Sequence, residues 1–211
     1  MPSLTPPPPI KGLYTITDPN LTSPENMGHA VESALKGGAK LVQYRDKNSP
    51  FDVQVALAKQ IKTLCTHYRA QFIVNDDLAL AQAVQADGIH IGKNDCDLAA
   101  ARKALGESAI IGVTCYNDLS RALAMQAAGA NYVAFGRFFP SKTKPNAPQA
   151  ELETLREAKA CLHIPVVAIG GIHFDNASTL LETGVDSLAV IQGVFAQPDI
   201  EMAARKLSQL F

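Results

Sequence analysis

Gln43, Arg45 and Lys47 alternate along one short stretch. In an extended chain, residues two apart point the same way, so an amide and two cations would face one place. An arginine fork suits phosphate oxygens, and a lysine adds a compact charge. Standing alone, Arg-x-Lys would read equally well as a solvated strand end. It does not stand alone. Asn75-Asp76-Asp77 sets an amide before two carboxylates, and Asp95 follows the segment Asp87-Gly88-Ile89-His90-Ile91-Gly92. Magnesium is commonly held by one or two carboxylates completed by water and substrate phosphates, which makes Asp76 and Asp95 the candidate Mg²⁺ ligands. Taken singly, either aspartate reads as a cap or turn residue, and Asp77 is placed to cap the next helix.

Further along, Thr114 brings a hydroxyl within Gly112-Val113-Thr114-Cys115-Tyr116-Asn117. Ser141-Lys142-Thr143-Lys144-Pro145 then alternates hydroxyls with lysines. That loop suits an anionic ligand, or is simply flexible and basic; it lacks the glycine spacing of a Walker loop. Gly170-Gly171 and Ile191-Gln192-Gly193 offer backbone N–H groups with close access, a second anion site. Two anion sites suggest a reaction between two phosphate-bearing substrates.

These clusters need a frame that gathers them, and the chain supplies a regular alternation. Short β-rich runs are expected at Leu13–Ile16, Leu41–Tyr44, Phe72–Asn75, Gly88–His90, Ile110–Thr114, Tyr132–Phe135, Val166–Ile169 and Ser187–Val190. Helical stretches such as Val53–Tyr68, Leu98–Leu105, Leu119–Ala128 and Leu152–Cys161 lie between them, and Ile200–Leu210 closes the chain. Alternating β and α predicts a parallel sheet with right-handed crossovers. Eight near-regular strands favour an α/β fold of one closed (β/α)₈ TIM barrel over an open sheet. No G-x-G-x-x-G follows the first strand, which argues against dinucleotide binding. In such a barrel the site lies at the C-terminal ends of the strands, where every cluster above falls. The barrel is assigned to residues 11–211. Residues 1–10, with Pro2 and the run Pro6 to Pro9, read as an extended mobile tail.

Composition narrows the function further. A net charge of -1 gives no overall field toward nucleic acid or anionic lipid, so any bound anion must be held locally. No apolar run approaches the roughly 20 residues of a membrane span. The first ten residues lack a basic-then-apolar pattern, so a secretory leader is not expected and a soluble, cytoplasmic protein is. Cys65, Cys96, Cys115 and Cys161 form no C-x-x-C pair and read as reduced thiols. His29, His67, His90, His163 and His173 lack metal-ligand spacing, so the chemistry is not expected to rest on them.

The ordered strings QYRDK, VNDD, ADGIHIGKND, GVTCYN, YVAFGRFFPSKTK, VVAIGGI and VDSLAVIQG resemble the thiamine phosphate synthase family. The resemblance runs from about Gly12 to Gly193, in the family's order and spacing. It implies a (β/α)₈ barrel that joins a hydroxymethylpyrimidine diphosphate to a thiazole phosphate, releasing pyrophosphate. The enzyme would thus be an alkyl or aryl transferase of thiamine biosynthesis using Mg²⁺. It places the pyrimidine diphosphate on Gln43, Tyr44, Arg45, Asp46, Lys47 and Asn75, with Thr114 and Lys144 also in contact. Ser141 and Thr143 would meet the thiazole, with Lys142 between them also binding substrate, and Gly171 with the Ile191–Gln192 backbone would meet its phosphate. Asp76 and Asp95 would hold the metal; Arg45, Lys47 and Lys144 would be catalytic. The family often has serine where Thr114 keeps a hydroxyl, and serine at Gln192, a change that a backbone contact would tolerate and a hydroxyl contact would not. A thiazole tautomerase-like isomerase, another phosphate-binding barrel isomerase and a non-catalytic thiazole-phosphate-binding regulator remain as rivals. Both small-molecule substrates are expected as partners; nucleic acid and membrane are not, and a homo-oligomer stays compatible with the sequence.

Overall fold

The computed structural model describes residues 10–92, 95–140 and 148–211. Eight strands are each short and apolar: β1 (Gly12–Ile16), β2 (Leu41–Tyr44), β3 (Gln71–Asn75), β4 (Gly88–Ile91), β5 (Ile110–Tyr116), β6 (Tyr132–Phe135), β7 (Val166–Ile169) and β8 (Ser187–Val190). Each pairs in parallel with the next, and β8 pairs with β1 through Gly12 opposite Ser187, which closes the barrel. The helices between them are α1 (Pro24–Lys36), α2 (Phe51–His67), α3 (Leu78–Ala83), α4 (Leu98–Leu105), α5 (Leu119–Ala127), α6 (Leu152–Cys161) and α7 (Phe174–Leu181). A single turn, α8 (Gln192–Phe195), and α9 (Ile200–Ser208) end the chain.

Side-chain alternation sorts the strands into two layers. Leu13, Val42, Phe72, Val74, Ile111 and Val133 face outward into the layer shared with the helices. Tyr14, Ile16, Leu41, Ile73, Ile110, Tyr132, Val167 and Ala189 fill the interior. Both faces of each strand are thus covered, which is why the strands read as nearly continuous apolar runs. Ile10 is 4% exposed and packs into the interior cluster. The barrel therefore takes in the last residue of the segment read as tail.

At the N-terminal end, residues just before three strands tie the sheet sideways. Asp87 accepts from the Phe72 N–H at 2.8 Å, Asp186 from the Val166 N–H at 2.7 Å, and Asn131 from the Ile111 N–H at 2.8 Å. These groups satisfy strand-edge donors on the face that serves stability, leaving the opposite face for chemistry. Asp77 caps α3 as expected, accepting from the Leu80 N–H at 2.9 Å.

Where strand and helix ends differ from the sequence reading, they do so by one or two residues. Among the strands the largest shift is β5, which runs on to Tyr116 through a register irregularity between Thr114 and Tyr116. Among the described residues, no helix is long and apolar enough to cross a membrane. All four cysteines are free thiols; burial pushes those of Cys65 and Cys115 up to about 12, which keeps them unreactive.

Candidate active site

A cavity of about 1050 Å³ opens at the C-terminal ends of the strands. All eight strands or the loops leaving them contribute to its lining. Of the residues expected from sequence, Gln43, Arg45, Asn75, Thr114, Gly171, Ile191 and Gln192 line this one space.

The β2 end is held by its neighbour. The Arg45 N–H donates to the Thr17 hydroxyl at 2.9 Å, and that hydroxyl lies 3.3 Å from the Arg45 carbonyl. Thr17 is fully buried, so the main chain of Arg45 is fixed where that residue lines the cavity. The alternation that puts Gln43 and Arg45 on one face does not carry on to Lys47. β2 stops at Tyr44, and the Lys47 ammonium instead meets the Asp76 carboxylate at 2.6 Å, beside the cavity. Tyr44 and Asp46 have side chains that do not line it. Tyr44 is 1% exposed and packs in the strand–helix layer, its hydroxyl 3.3 Å from Asp46. Asp46 folds back to accept from the Asn48 and Ser49 N–H groups at 2.9 and 3.0 Å. Burial pushes its carboxyl up, yet the bonds from Ser49 and Asn48 outweigh this and hold it below the usual range.

Asp76 follows Asn75 with a left-handed φ of 51°, an uncommon conformation for a residue with a side chain. Its N–H donates to the His90 carbonyl at 2.9 Å, so β3 and β4 are neighbours where the metal reading requires them to be. Asp95 accepts from the Gly92 N–H at 2.6 Å. Burial, and then the charges of Asp95, Asp97 and Asp76, raise the Cys96 thiol, so these carboxylates act on one locality. Among the described residues, no group of three or more metal-ligating side chains occurs.

The cavity floor holds a hydrogen-bonded chain that the sequence reading did not identify. Gln43 Nε2 donates to the Tyr14 hydroxyl at 2.7 Å, and the Tyr14 and Tyr132 hydroxyls are 2.9 Å apart. Tyr132 reaches His90 Nδ1 at 3.0 Å, and His90 Nε2 reaches the Thr114 hydroxyl at 2.8 Å. The imidazole also stacks on the Tyr132 ring, with centroids 5.5 Å apart. Tyr14, Tyr132 and His90 each resemble a core residue when read singly. The available signal was parity: Tyr14, Gln43, His90, Thr114 and Tyr132 all point inward on their strands.

On the far side, Gly171 adopts φ 66°, and a side chain there would run into the Pro140 carbonyl and Phe139. Glycine lets the β7 loop pass against the β6 loop and keeps its backbone at the cavity wall. Ile191 precedes α8, and the Gln192 and Gly193 N–H groups belong to its first turn, which has no helical carbonyl to bond. Ser141, Lys142, Thr143 and Lys144 lie outside the described residues; they follow directly on Pro140, which lines the cavity.

A family model described as thiamine monophosphate synthase matches residues 13–194. The thiamine-phosphate synthase of Alcanivorax borkumensis is 54% identical over 205 residues, covering 96% of this chain and 94% of its own length. That of Nitrosococcus oceani is 48% identical over 202 residues, covering 96% and 93%. A solved structure of thiamine phosphate pyrophosphorylase from Pyrococcus furiosus superposes with a TM-score of 0.86 at 39% identity, covering 94% of each chain. With the matched span running from the first barrel strand through the turn after the eighth, the chain belongs to the thiamine monophosphate synthase family.

Proposed function

We propose that this protein joins 4-amino-2-methyl-5-(diphosphooxymethyl)pyrimidine to a thiazole phosphate, forming thiamine phosphate and pyrophosphate in the cytoplasm. The observation that carries the reading is the convergence of Gln43, Arg45, Asn75 and Thr114 on one cavity, with Lys47 and Asp76 paired beside it. Opposite them, the Gly171 and Ile191–Gln192 backbone gives the second substrate's phosphate its own wall.

The arrangement suits a dissociative substitution. An electron-rich aminopyrimidine stabilises positive charge at its exocyclic methylene carbon, so the C–O bond to diphosphate breaks first. Arg45, Lys47 and Lys144 stabilise the charge that grows on the departing diphosphate. The thiazole nitrogen then bonds to the methylene cation, and no protein nucleophile takes part. Holding the thiazole phosphate at Gly171 and the α8 turn supplies the proximity contribution. Gln43 and Thr114 orient the pyrimidine ring over the floor.

The Asp76 and Asp95 carboxylates fit a hard divalent ion such as Mg²⁺: one directly follows β3, the other lies in the loop after the neighbouring β4, and two oxygen donors leave room for phosphate and water. When bound, Mg²⁺ would neutralise charge on the diphosphate oxygens. Lys47, now paired with Asp76, would then be released toward the same diphosphate. Asp76→Ala is accordingly expected to raise the Mg²⁺ concentration for half-maximal rate about 10-fold or more. An unchanged Mg²⁺ titration would remove Asp76 from the ligand set.

Mixing both substrates with Mg²⁺ and following pyrophosphate release tests the whole reading. An isomerase or a non-catalytic binder on this barrel releases none.

A further inference from the structure

We propose that Tyr14, Tyr132 and His90 form a directional hydrogen-bond chain that fixes Gln43 as an acceptor and Thr114 as a donor toward the bound pyrimidine, so that the chain selects its amino edge. This deepens, and rests on, the aminopyrimidine reading of the cavity.

The direction follows from counting hydrogens. Gln43 spends one N–H on the Tyr14 oxygen at 2.7 Å, which turns its Oε1 away from the tyrosine. Tyr14 has one O–H, and with its oxygen accepting from Gln43, that hydrogen goes to the Tyr132 oxygen at 2.9 Å. Tyr132 has one O–H in turn, and it goes to His90 Nδ1 at 3.0 Å. A neutral imidazole carries one donor and one acceptor, so an accepting Nδ1 leaves Nε2–H to donate to the Thr114 hydroxyl at 2.8 Å. The Thr114 hydrogen is then left for a ligand. Burial pushes both tyrosine hydroxyls well above their ordinary range, so each keeps its single proton under all working conditions. Tyr14 and Tyr132 are 1% and 0% exposed, so water does not compete for these bonds.

The result is an acceptor at one end of the floor and a donor at the other, and neither can invert alone. Inverting Gln43 would require both tyrosine hydroxyls, the histidine tautomer and Thr114 to reverse together. A 4-aminopyrimidine offers an exocyclic donor for the Gln43 oxygen and ring-nitrogen acceptors for a hydroxyl donor. The 4-oxo counterpart puts a carbonyl acceptor where that donor stood, which opposes the Gln43 oxygen. Selection between hydrogen-bonding edges is strong when a mismatch leaves buried polar groups unpaired.

Tyr132 acts through its neighbours and does not line the cavity, so it is a positioning residue and the point at which to cut the chain. The probes are 4-amino-5-hydroxymethyl-2-methylpyrimidine and its 4-oxo counterpart, each titrated as a competitive inhibitor of pyrophosphate release. Wild type should prefer the amino compound by about 10²-fold or more. In Tyr132→Phe, which keeps the ring and loses only the hydroxyl, Gln43 and Thr114 reorient independently and the preference should fall to within about 10-fold. The KM for the pyrimidine diphosphate should rise about 10-fold, with kcat changed less than about 3-fold and the thiazole phosphate KM unmoved. Tyr14→Phe cuts the next link and should show the same loss of preference, which keeps the test open if one variant folds poorly. Pyrophosphate release by wild type with an unchanged preference in both variants would overturn the chain alone. No release by wild type would overturn the proposed function and this inference with it.

Discussion

Arg45→Ala is expected to lower kcat about 10²-fold or more, the loss typical of removing one preorganised charge-stabilising donor. The Arg45 main chain is held by the buried Thr17 hydroxyl on both its N–H and its carbonyl side, so truncating the side chain does not release the β2 end. Arg45 lines a cavity and belongs to neither packed cluster, so the melting temperature should barely move. What disappears is a planar fork aimed at a leaving group whose charge increases as the C–O bond breaks. An interaction that strengthens toward the transition state registers in kcat, whereas one that is equal in both states registers in KM. Arg45→Lys should fall in between, because it keeps the charge and loses the two-pronged geometry. Lys144→Ala is expected to show a comparable fall in kcat. Steady-state turnover at the wild-type level in both alanine variants would refute the assignment of these cations to the departing diphosphate.

The barrel was legible because its strands are covered on both faces. Leu41–Tyr44, Tyr132–Phe135, Val166–Ile169 and Ser187–Val190 are short apolar runs between polar turns, and the structure ends them at the residues where polarity returns. β5 was read short because its last turn-like residues are polar and its backbone departs from regular pairing at Thr114 and Tyr116. The charged cluster was legible because arginine, lysine and aspartate at strand ends have few purely structural uses together. What pattern reading misjudged was direction. Alternation holds only while the chain is extended, so it correctly paired Gln43 with Arg45 and then carried Lys47 too far. The floor was missed for a different reason. Tyr14 and Tyr132 are apolar enough to pass for core, and His90 shows no metal spacing. Only the closed barrel reveals that their hydroxyls and ring nitrogens meet across the interior, linking two residues that had already been singled out.

The floor also depends on a residue with no side chain, and Gly112→Ala should show it. Gly112 pairs in register with Tyr132 on one side and His90 on the other. Its bare Cα is what lets the Tyr132 ring cross β5 to reach His90 Nδ1. A Cβ at Gly112 would fall inside the contact radii of Tyr132 Cζ, Cε1 and the hydroxyl oxygen. That ring is fully buried, stacked on the imidazole and hydrogen-bonded at its tip, so it has no empty space to enter. The cost should sit at the upper end for overpacking, about 3 kcal/mol, which for a chain of this size lowers the melting temperature by about 6–12 °C. The KM for the pyrimidine diphosphate should rise as well, since a displaced Tyr132 breaks the link between Gln43 and Thr114. Gly28→Ala in α1 is the informative contrast. There a Cβ would meet only the amide end of the exposed Gln60 side chain, which swings aside, and alanine favours a helix over glycine by about 1 kcal/mol. That variant should melt at or slightly above wild type. A Gly112→Ala melting curve superimposable on wild type would mean that Tyr132 does not need the glycine's space, and the packing account of the floor would fall.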